Sequence, residues 1–409
     1  MATLRDACVR NSAEAGPFRN RTIPLPTPTP FDMYRFLFAL LLAAPVAAQD
    51  LPGVEPRSPF LLPGLPVSAH EAGVEQALVA GPSDNPYAFR HNPALLADAA
   101  ERPAVRFSAT AAQDLLGVDD LMIGSSAASI GIDAGEIAGG SVQIGLGGGY
   151  AEYRDAEILI TDDRGLLLGE YASQEREIAG GLALGWNGAL NVRVGATAFR
   201  RESLEESRST SLTRDRDRVT TLDVGGAVTL PLLRGPNAPG ETALALDLTG
   251  AYVYRGVTTL EDDRAAFIGG PNALPPEVQT VGGSARLAII RQLGRRGTFR
   301  LLDADVRAQT HASDDLPDET RFGATVVLAE VIALRAGQSD SGDAGTGVRQ
   351  SVGAELRLGG LIRAIGAAQE NASMLALADR LTTRFEVALL DVGEAAETPY
   401  YGFTFGWRP

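Results

Sequence analysis

The sequence contains no lysine, so all 36 of its basic residues are arginine. They are outnumbered by 51 acidic residues, which leaves a formal net charge of −15. This excess of negative charge repels the phosphate backbone of nucleic acids. We therefore expect no nucleic-acid partner.

Cysteine and histidine are scarce as well. The one cysteine, Cys8, precedes a predicted export signal, so we expect no disulfide, zinc–thiolate site or cysteine nucleophile in the exported chain. His70, His91 and His311 are far apart in sequence and have no neighbour at metal-ligand spacing, which predicts neither a metal site nor a cofactor. A hydrolase built on His311 and the nearby Ser313 is the one catalytic alternative, and we expect the protein not to be an enzyme.

Aromatic residues make up only 6% of the chain, whereas glycine and proline occur 46 and 24 times. This composition is typical of many short strands joined by turns, and it argues against an all-helical protein.

The amino terminus carries an export signal. Residues 33–48 begin with a positive residue, continue as an apolar run from Phe36 and end in the small residues of Val46-Ala47-Ala48, which is the pattern of a cleaved signal peptide. We predict cleavage after Ala48. Residues 1–32 resemble no usual lead-in to such a signal, and we interpret them as a misannotated upstream extension with Met33 as the true start.

Residues 49–102 are rich in proline and glycine and show no sustained period. This composition predicts an extended or plugging segment, which we interpret as an N-terminal hatch.

From residue 103 onward, apolar and polar residues alternate with the period of two that is typical of β-strands. The clearest segments are Leu244–Tyr254, Arg300–Gln309 and Ser351–Leu358. Their polar faces are too densely charged for the core of a sandwich. They predict a polar lumen, with lumen-facing charges at Asp247, Asp303, Asp305, Arg307, Glu355 and Arg357.

Short and long connections alternate along the same region, as on the two sides of an outer-membrane barrel. Trp186–Ala189 predicts a tight hairpin, whereas Glu202–Arg218 reads as a long charged loop. Arg321–Gln338 is either one strand or a hairpin turning near Ala329-Glu330. We predict an all-β fold, a transmembrane antiparallel β-barrel of about 14 strands over residues 103–409.

The last segment alternates aromatic residues. It resembles the terminal strand that the barrel-assembly machinery recognises, which makes that machinery a predicted partner. The aromatic residues are Tyr401, Phe403, Phe405 and Trp407.

Two regions resemble the FadL-like outer-membrane superfamily and, within it, the PorV/PorQ branch. The first is the element before the barrel, in which Asn85-Pro86 is followed by Asn92-Pro93-Ala94. The second is the series Ile332–Gly337, Val352–Gly359 and Thr383–Val387, which looks like the closing strands of PorV-type proteins.

The resemblance implies an outer-membrane protein in contact with lipid, and it implies one of two functions. FadL-like members pass hydrophobic or other small molecules, with a hatch in the lumen. PorV-like members assist type IX secretion and carry cargo proteins. The competing hypothesis is a secreted or surface-attached soluble β-protein with a structural or adhesive role, since its strands would alternate as well.

Overall fold

The computed structural model describes the greater part of the chain after residue 61. The described residues are 62–81, 85–100, 104–113, 121–137, 139–155, 158–161, 167–208, 212–236, 238, 240–261, 277–293, 298–313, 318–341, 348–369, 371–391 and 397–408. The predicted extension, the signal peptide with its cleavage site, and the start of the predicted hatch lie outside these residues.

Strands account for most of the described chain. They are β1 (Val105–Ala112), β2 (Met122–Ile137), β3 (Gly140–Arg154), β4 (Ile158–Thr161), β5 (Leu167–Asn187), β6 (Asn191–Arg208), β7 (Leu212–Leu233), β8 (Thr242–Glu261), β9 (Val278–Gln292), β10 (Thr298–Ala312), β11 (Glu319–Leu328), β12 (Ile332–Ser341), β13 (Val348–Arg357), β14 (Leu381–Asp391) and β15 (Thr398–Trp407).

The helices are short and fall in two groups. Before the first strand lie a 3-10 helix (Leu62–Gly64), α1 (Ala69–Ala72), α2 (Ala88–His91) and a second 3-10 helix (Pro93–Ala100), and between β13 and β14 lie α3 (Leu358–Ala368) and α4 (Ala372–Arg380). Among the residues described, no helix is both long enough and apolar enough to span a membrane.

The strands close into an antiparallel barrel. Sequence neighbours pair with one another, β1 pairs with β15, and β3 pairs with β5. The short strand β4 pairs with the far part of β5 and extends the wall beyond the end of β3, so fourteen strands form the closed ring. This confirms the predicted fold class and strand number, and closure leaves no exposed edge in the ring.

Side chains alternate between the two faces of the wall. On β10, Asp303, Asp305 and Arg307 are buried inside, whereas the intervening Val306 is 58% exposed outside. Large exposed apolar side chains recur on the outer face of nearly every strand, Tyr401 on β15 among them. An apolar exterior around a polar interior is the pattern of a transmembrane barrel and argues against the soluble adhesive protein.

The two ends of the barrel differ. At one end, here the short-turn end, the β2–β3, β5–β6 and β11–β12 connections contain only two or three residues. The opposite end is here called the long-loop end. The hairpin predicted at Trp186–Ala189 lies at the short-turn end, where Gly188 donates its backbone N–H to the Leu190 carbonyl at 3.1 Å.

The expectation of a long charged loop over Glu202–Arg218 is wrong. Strands β6 and β7 run through most of it and pair as far as Arg208 opposite Leu212. A membrane-spanning strand needs about ten residues, whereas β7 has 22. The paired wall therefore extends well past the apolar band, and backbone pairing outweighs the turn preference of these polar residues.

Helices α3 and α4 interrupt the predicted series of closing strands. Asn371 caps α4, its side chain accepting the backbone N–H groups of Ser373 and Met374. Arg363 of α3 donates to the Thr298 carbonyl at 3.1 Å and lies 3.2 Å from the Glu330 carboxylate. The helices thus pack over the β11–β12 turn, whose residues Ala329 and Glu330 both adopt positive φ.

The facing of β8 gives a direct test of the membrane orientation. Leu246 lies opposite Leu287 of β9 on the outer face, and the next residue, Asp247, points inward. Leu246→Arg is expected to lower the free energy of unfolding by about 2 to 4 kcal/mol near the bilayer midplane. Urea unfolding in lipid vesicles measures the effect, with Leu246→Met as the size-matched control. Unchanged stability of the arginine variant would contradict this facing.

Candidate functional site

The N-terminal segment lies inside the barrel. This plug, residues 62–81 and 85–100, is almost entirely buried. The backbone N–H of Leu62 donates to the Glu175 carboxylate of β5 at 2.9 Å, and the hydroxyl of Tyr87 shares a 2.7 Å hydrogen bond with Ser125 of β2. The plug therefore contacts the wall at widely separated strands.

Glycines line the wall where the plug backbone comes closest. A Cβ added at Gly145 of β3 would lie 2.0 Å from the Leu96 carbonyl oxygen, and one at Gly131 of β2 would lie 2.1 Å from the Ala99 backbone. A Cβ added at Gly195 of β6 would likewise clash with the plug backbone. Gly145 is thus a place where the plug backbone closely approaches the wall.

Asn92 joins the plug to β7. Its side-chain amide donates to the carbonyls of Val79 at 2.9 Å and Gly226 at 3.3 Å, and its oxygen accepts the Ala94 N–H at 3.0 Å. It lies fully buried against Gly225, where a Cβ would clash with the Asn92 oxygen at 2.2 Å.

The rest of the predicted hatch motif surrounds Asn92. The Asn85 side chain accepts the Tyr87 N–H at 3.0 Å, Pro86 stands between these two residues, and Pro93 and Ala94 begin the second 3-10 helix. The motif therefore fixes a turn at each end of α2.

Charged residues connect plug and wall through a chain of ion pairs. Arg90 lies 2.9 Å from Glu177 of β5, which also pairs with Arg201 of β6 at 2.7 Å. His91 lies 3.0 Å from Glu71, and Glu71 accepts the Val67 N–H at 2.7 Å. All five of these side chains are at least nine-tenths buried, so each depends on its partner for solvation.

The charges that sequence predicts in the lumen lie on the inner face. Asp303 accepts hydrogen bonds from Arg286 and Arg300, Asp305 pairs with Arg307, and Asp247 is half-buried on the same side. The sequence alone does not identify Arg286, because its partner lies on the neighbouring strand.

The remaining two lumen charges belong to an arginine cluster. Glu355 contacts Arg335, Arg357 and Arg384. The fold also brings His70 of the plug to Glu355 and Glu386, with ligand atoms within 4.8 Å of one another. Sequence spacing did not predict this grouping. The arginines around Glu355 already supply the positive charge that a metal ion would bring, which favours an ion-pair network.

His311 does not form the catalytic pair that Ser313 suggested. Its Nδ1 lies 2.8 Å from the Thr280 hydroxyl, and its Nε2 lies 2.8 Å from the Gln309 side chain. Both ring nitrogens are therefore engaged by side chains other than Ser313.

The aromatic residues of β15 point outward. Tyr401 is 61% exposed, and Phe403, Phe405 and Trp407 are also exposed on the outer face. The rings of Phe385 and Phe403 lie 5.3 Å apart across β14 and β15. This is the placement required of a recognition surface on the terminal strand, and its role in assembly stays a prediction.

A cavity of about 200 Å³ lies between the plug and the long-loop end. The plug contributes Arg90 and His91, and the wall contributes side chains from β6 to β11. The remaining lining residues are Pro63, Gly64, Gln76, Phe199, Arg201, Thr221, Asp223, Arg255, Gly256, Val278, His311, Ala312, Ser313, Glu319 and Arg321. The lining combines apolar surface with four arginines.

No protein-family model and no curated protein matches the sequence. Among solved structures, the chain is similar to the toluene transporter TodX of Pseudomonas putida, with 10% identity, a TM-score of 0.40 and coverage of 88% of this chain and 98% of that chain. It is similar to a FadL homologue of Pseudomonas aeruginosa, with 12% identity, a TM-score of 0.40 and coverage of 84% and 99%.

A third similar structure is the translocator domain of the autotransporter NalP from Neisseria meningitidis. The identity is 11%, the TM-score is 0.33, and the match covers 75% of this chain and 87% of that chain. The fold of the present chain is established by its own strand pairing, a plugged fourteen-stranded barrel closed between β3 and β5.

Proposed function

We propose that this chain is an outer-membrane channel or transporter for small molecules and that its N-terminal plug is the gate. One observation carries the proposal: the plug crosses the lumen and, together with the wall, encloses a cavity next to the long-loop end. A purely structural barrel has no need of a cavity that is partly built from a separate inserted segment.

The gate can be tested with a reversible lock. A Cβ on Gly402 of β15 would lie 3.2 Å from the Ala69 Cβ of the plug, close to the usual separation of about 3.5 to 4.5 Å in disulfides. The sequence after residue 8 contains no cysteine, so an engineered pair would be unambiguous. Ala69→Cys with Gly402→Cys should therefore tie the plug to the wall under oxidising conditions.

We expect the oxidised double variant, expressed from Met33 and reconstituted in planar bilayers, to conduct less than the same protein after reduction. The two single-cysteine variants are the controls, because neither can form the tether. A heat-shifted band on an SDS gel verifies that each barrel is folded. Equal conductance before and after reduction, with the crosslink verified by mass spectrometry, would contradict a gating role for the plug.

The secretion alternative rests on the PorV-like segments. It predicts that the folded protein isolated from its own cells carries secreted proteins with type IX sorting domains. Conductance that responds to the lock, without such cargo, supports the channel over the shuttle.

A further inference from the structure

The cavity next to the long-loop end has a distinctive chemistry. Four arginines line it, Arg90, Arg201, Arg255 and Arg321, against two carboxylates. The main aromatic surface, the Phe199 ring, is covered by the Arg201 guanidinium at 4.7 Å from the ring centroid. The lining therefore concentrates guanidinium groups beside apolar surface.

The two carboxylates of the cavity accept hydrogen bonds from the protein. Asp223 accepts the Gly256 N–H at 3.1 Å. Glu319 accepts one hydrogen bond from Arg321 at 2.5 Å and another from Arg349 at 2.6 Å. Both oxygens of Glu319 are therefore engaged, and arginines outnumber carboxylates in the lining by four to two.

The donors are not all used. The Nε of Arg255 is buried without a hydrogen-bond partner, although Asp223 supplies an opposite charge nearby. The Nε of Arg321 is buried and unpartnered as well. A guanidinium can only donate, and a buried donor without an acceptor is costly. Two arginines of the cavity thus have buried N–H groups without acceptors, which the oxygens of a ligand can supply.

We propose that this cavity binds a small anion bearing a carboxylate or phosphate group, held by Arg255 and Arg321. Guanidinium groups match the paired oxygens of both chemistries. The volume is below the roughly 300 to 1,000 Å³ of sites for drug-sized ligands, which points to a small solute. This proposal names the class of solute for the proposed channel. It rests on the channel function only for the claim that the bound anion also passes through the barrel.

Binding is tested by calorimetry on the purified full chain in detergent, with succinate, inorganic phosphate and uncharged erythritol as probes. We expect saturable binding of at least one anion, weakening as sodium chloride is raised, and no binding of erythritol. Succinate alone or phosphate alone would assign the carboxylate or the phosphate chemistry. No binding of either anion to the wild-type protein would overturn the proposal.

Two cavity variants and one matched control locate the site. Arg255→Gln and Arg321→Gln should each weaken binding by about tenfold or more, because each removes a charged hydrogen-bond donor. Arg218→Gln is the control, since Arg218 pairs with Glu202 of β6 at 3.4 Å and does not line the cavity. Equal affinity in wild-type protein and both cavity variants would show that the anion binds elsewhere.

Folding and passage are measured separately. The heat-shifted band verifies each barrel, and if Arg255→Gln fails to fold, Arg321→Gln carries the test. Anion binding without lock-dependent conductance supports the site and contradicts the channel. Lock-dependent conductance without anion binding supports the channel and overturns the site.

Discussion

Gly145→Val is expected to displace the plug from the barrel wall. The Cβ position of residue 145 lies 2.0 Å from the Leu96 carbonyl oxygen, so the clash is with backbone and no side-chain rotation relieves it. Leu96 is 1% exposed, and losing its contact removes about 1.5 to 3 kcal/mol of apolar burial. The barrel wall itself keeps its hydrogen-bond pairing.

Trypsin cleavage followed by mass spectrometry measures the displacement. Arg90 is buried in the wild-type plug, so cleavage after it should be slow, and it should become fast in Gly145→Val. Gly180→Val on the neighbouring strand β5 is the matched control, because a Cβ there meets nothing within 4 Å. If Arg90 stays protected in Gly145→Val while the heat-shifted band is retained, the plug does not depend on this contact.

The glycines of the wall show how far the sequence could predict the plug. Gly145 interrupts an alternating strand, and that alone predicts close approach of another backbone. The identity of the approaching segment could not be predicted, since Leu96 and Gly145 are brought together by closure of the barrel. The same holds for Gly131, Gly195 and Gly225 on the inner face. The sequence indicates close approach at each of them, but it does not identify the plug residue that approaches.

The strands could be predicted wherever local alternation was clean, as on β10 and β15. The prediction was wrong at Glu202–Arg218, because charged residues that favour loops locally are held in strands by pairing between β6 and β7. Helices α3 and α4 were missed for the opposite reason. Their segments are short, apolar and alanine-rich, and they lie between two stretches that alternate as strands, so local pattern did not separate them from the neighbouring strands.

The cavity was the least predictable feature. Arg90, Arg201, Arg255 and Arg321 come from the plug, β6, β8 and β11, and no spacing in the sequence relates them. A lone arginine on an alternating strand indicates only a lumen-facing charge. Which of these charges lacks a partner depends on the register of each pair of strands, and the register was known only from the structure.

The second large expected effect concerns the arginine cluster at β12, β13 and β14. Glu355 lies directly opposite Glu386, and Arg357 lies directly opposite Arg384. Like charges face each other across the strands, a destabilising arrangement on its own. Glu355 is therefore attracted along its own strand to Arg357 at 2.6 Å and diagonally to Arg384 at 3.5 Å, in addition to the fully buried Arg335.

Glu355→Gln is expected to lower the free energy of unfolding by about 3 to 5 kcal/mol, because it leaves buried guanidinium groups without their shared carboxylate. Urea titration of the barrel in lipid vesicles, followed by tryptophan fluorescence, measures the loss. The double variant Glu355→Gln with Arg335→Met tests the cause of this loss. Removing the most buried arginine should restore part of the stability that is lost when the glutamate is replaced.

Glu152→Gln is the matched control for this prediction. Glu152 also has several partners, among them Arg154 at 2.7 Å and Arg176 at 3.7 Å, but these arginine side chains are 62% and 48% exposed. Water solvates them when the carboxylate is removed, so we expect a much smaller loss than at Glu355. Similar losses at the two positions would mean that the arginine cluster is solvated by lumenal water, and that the tight closure of the plug over this part of the wall is incomplete.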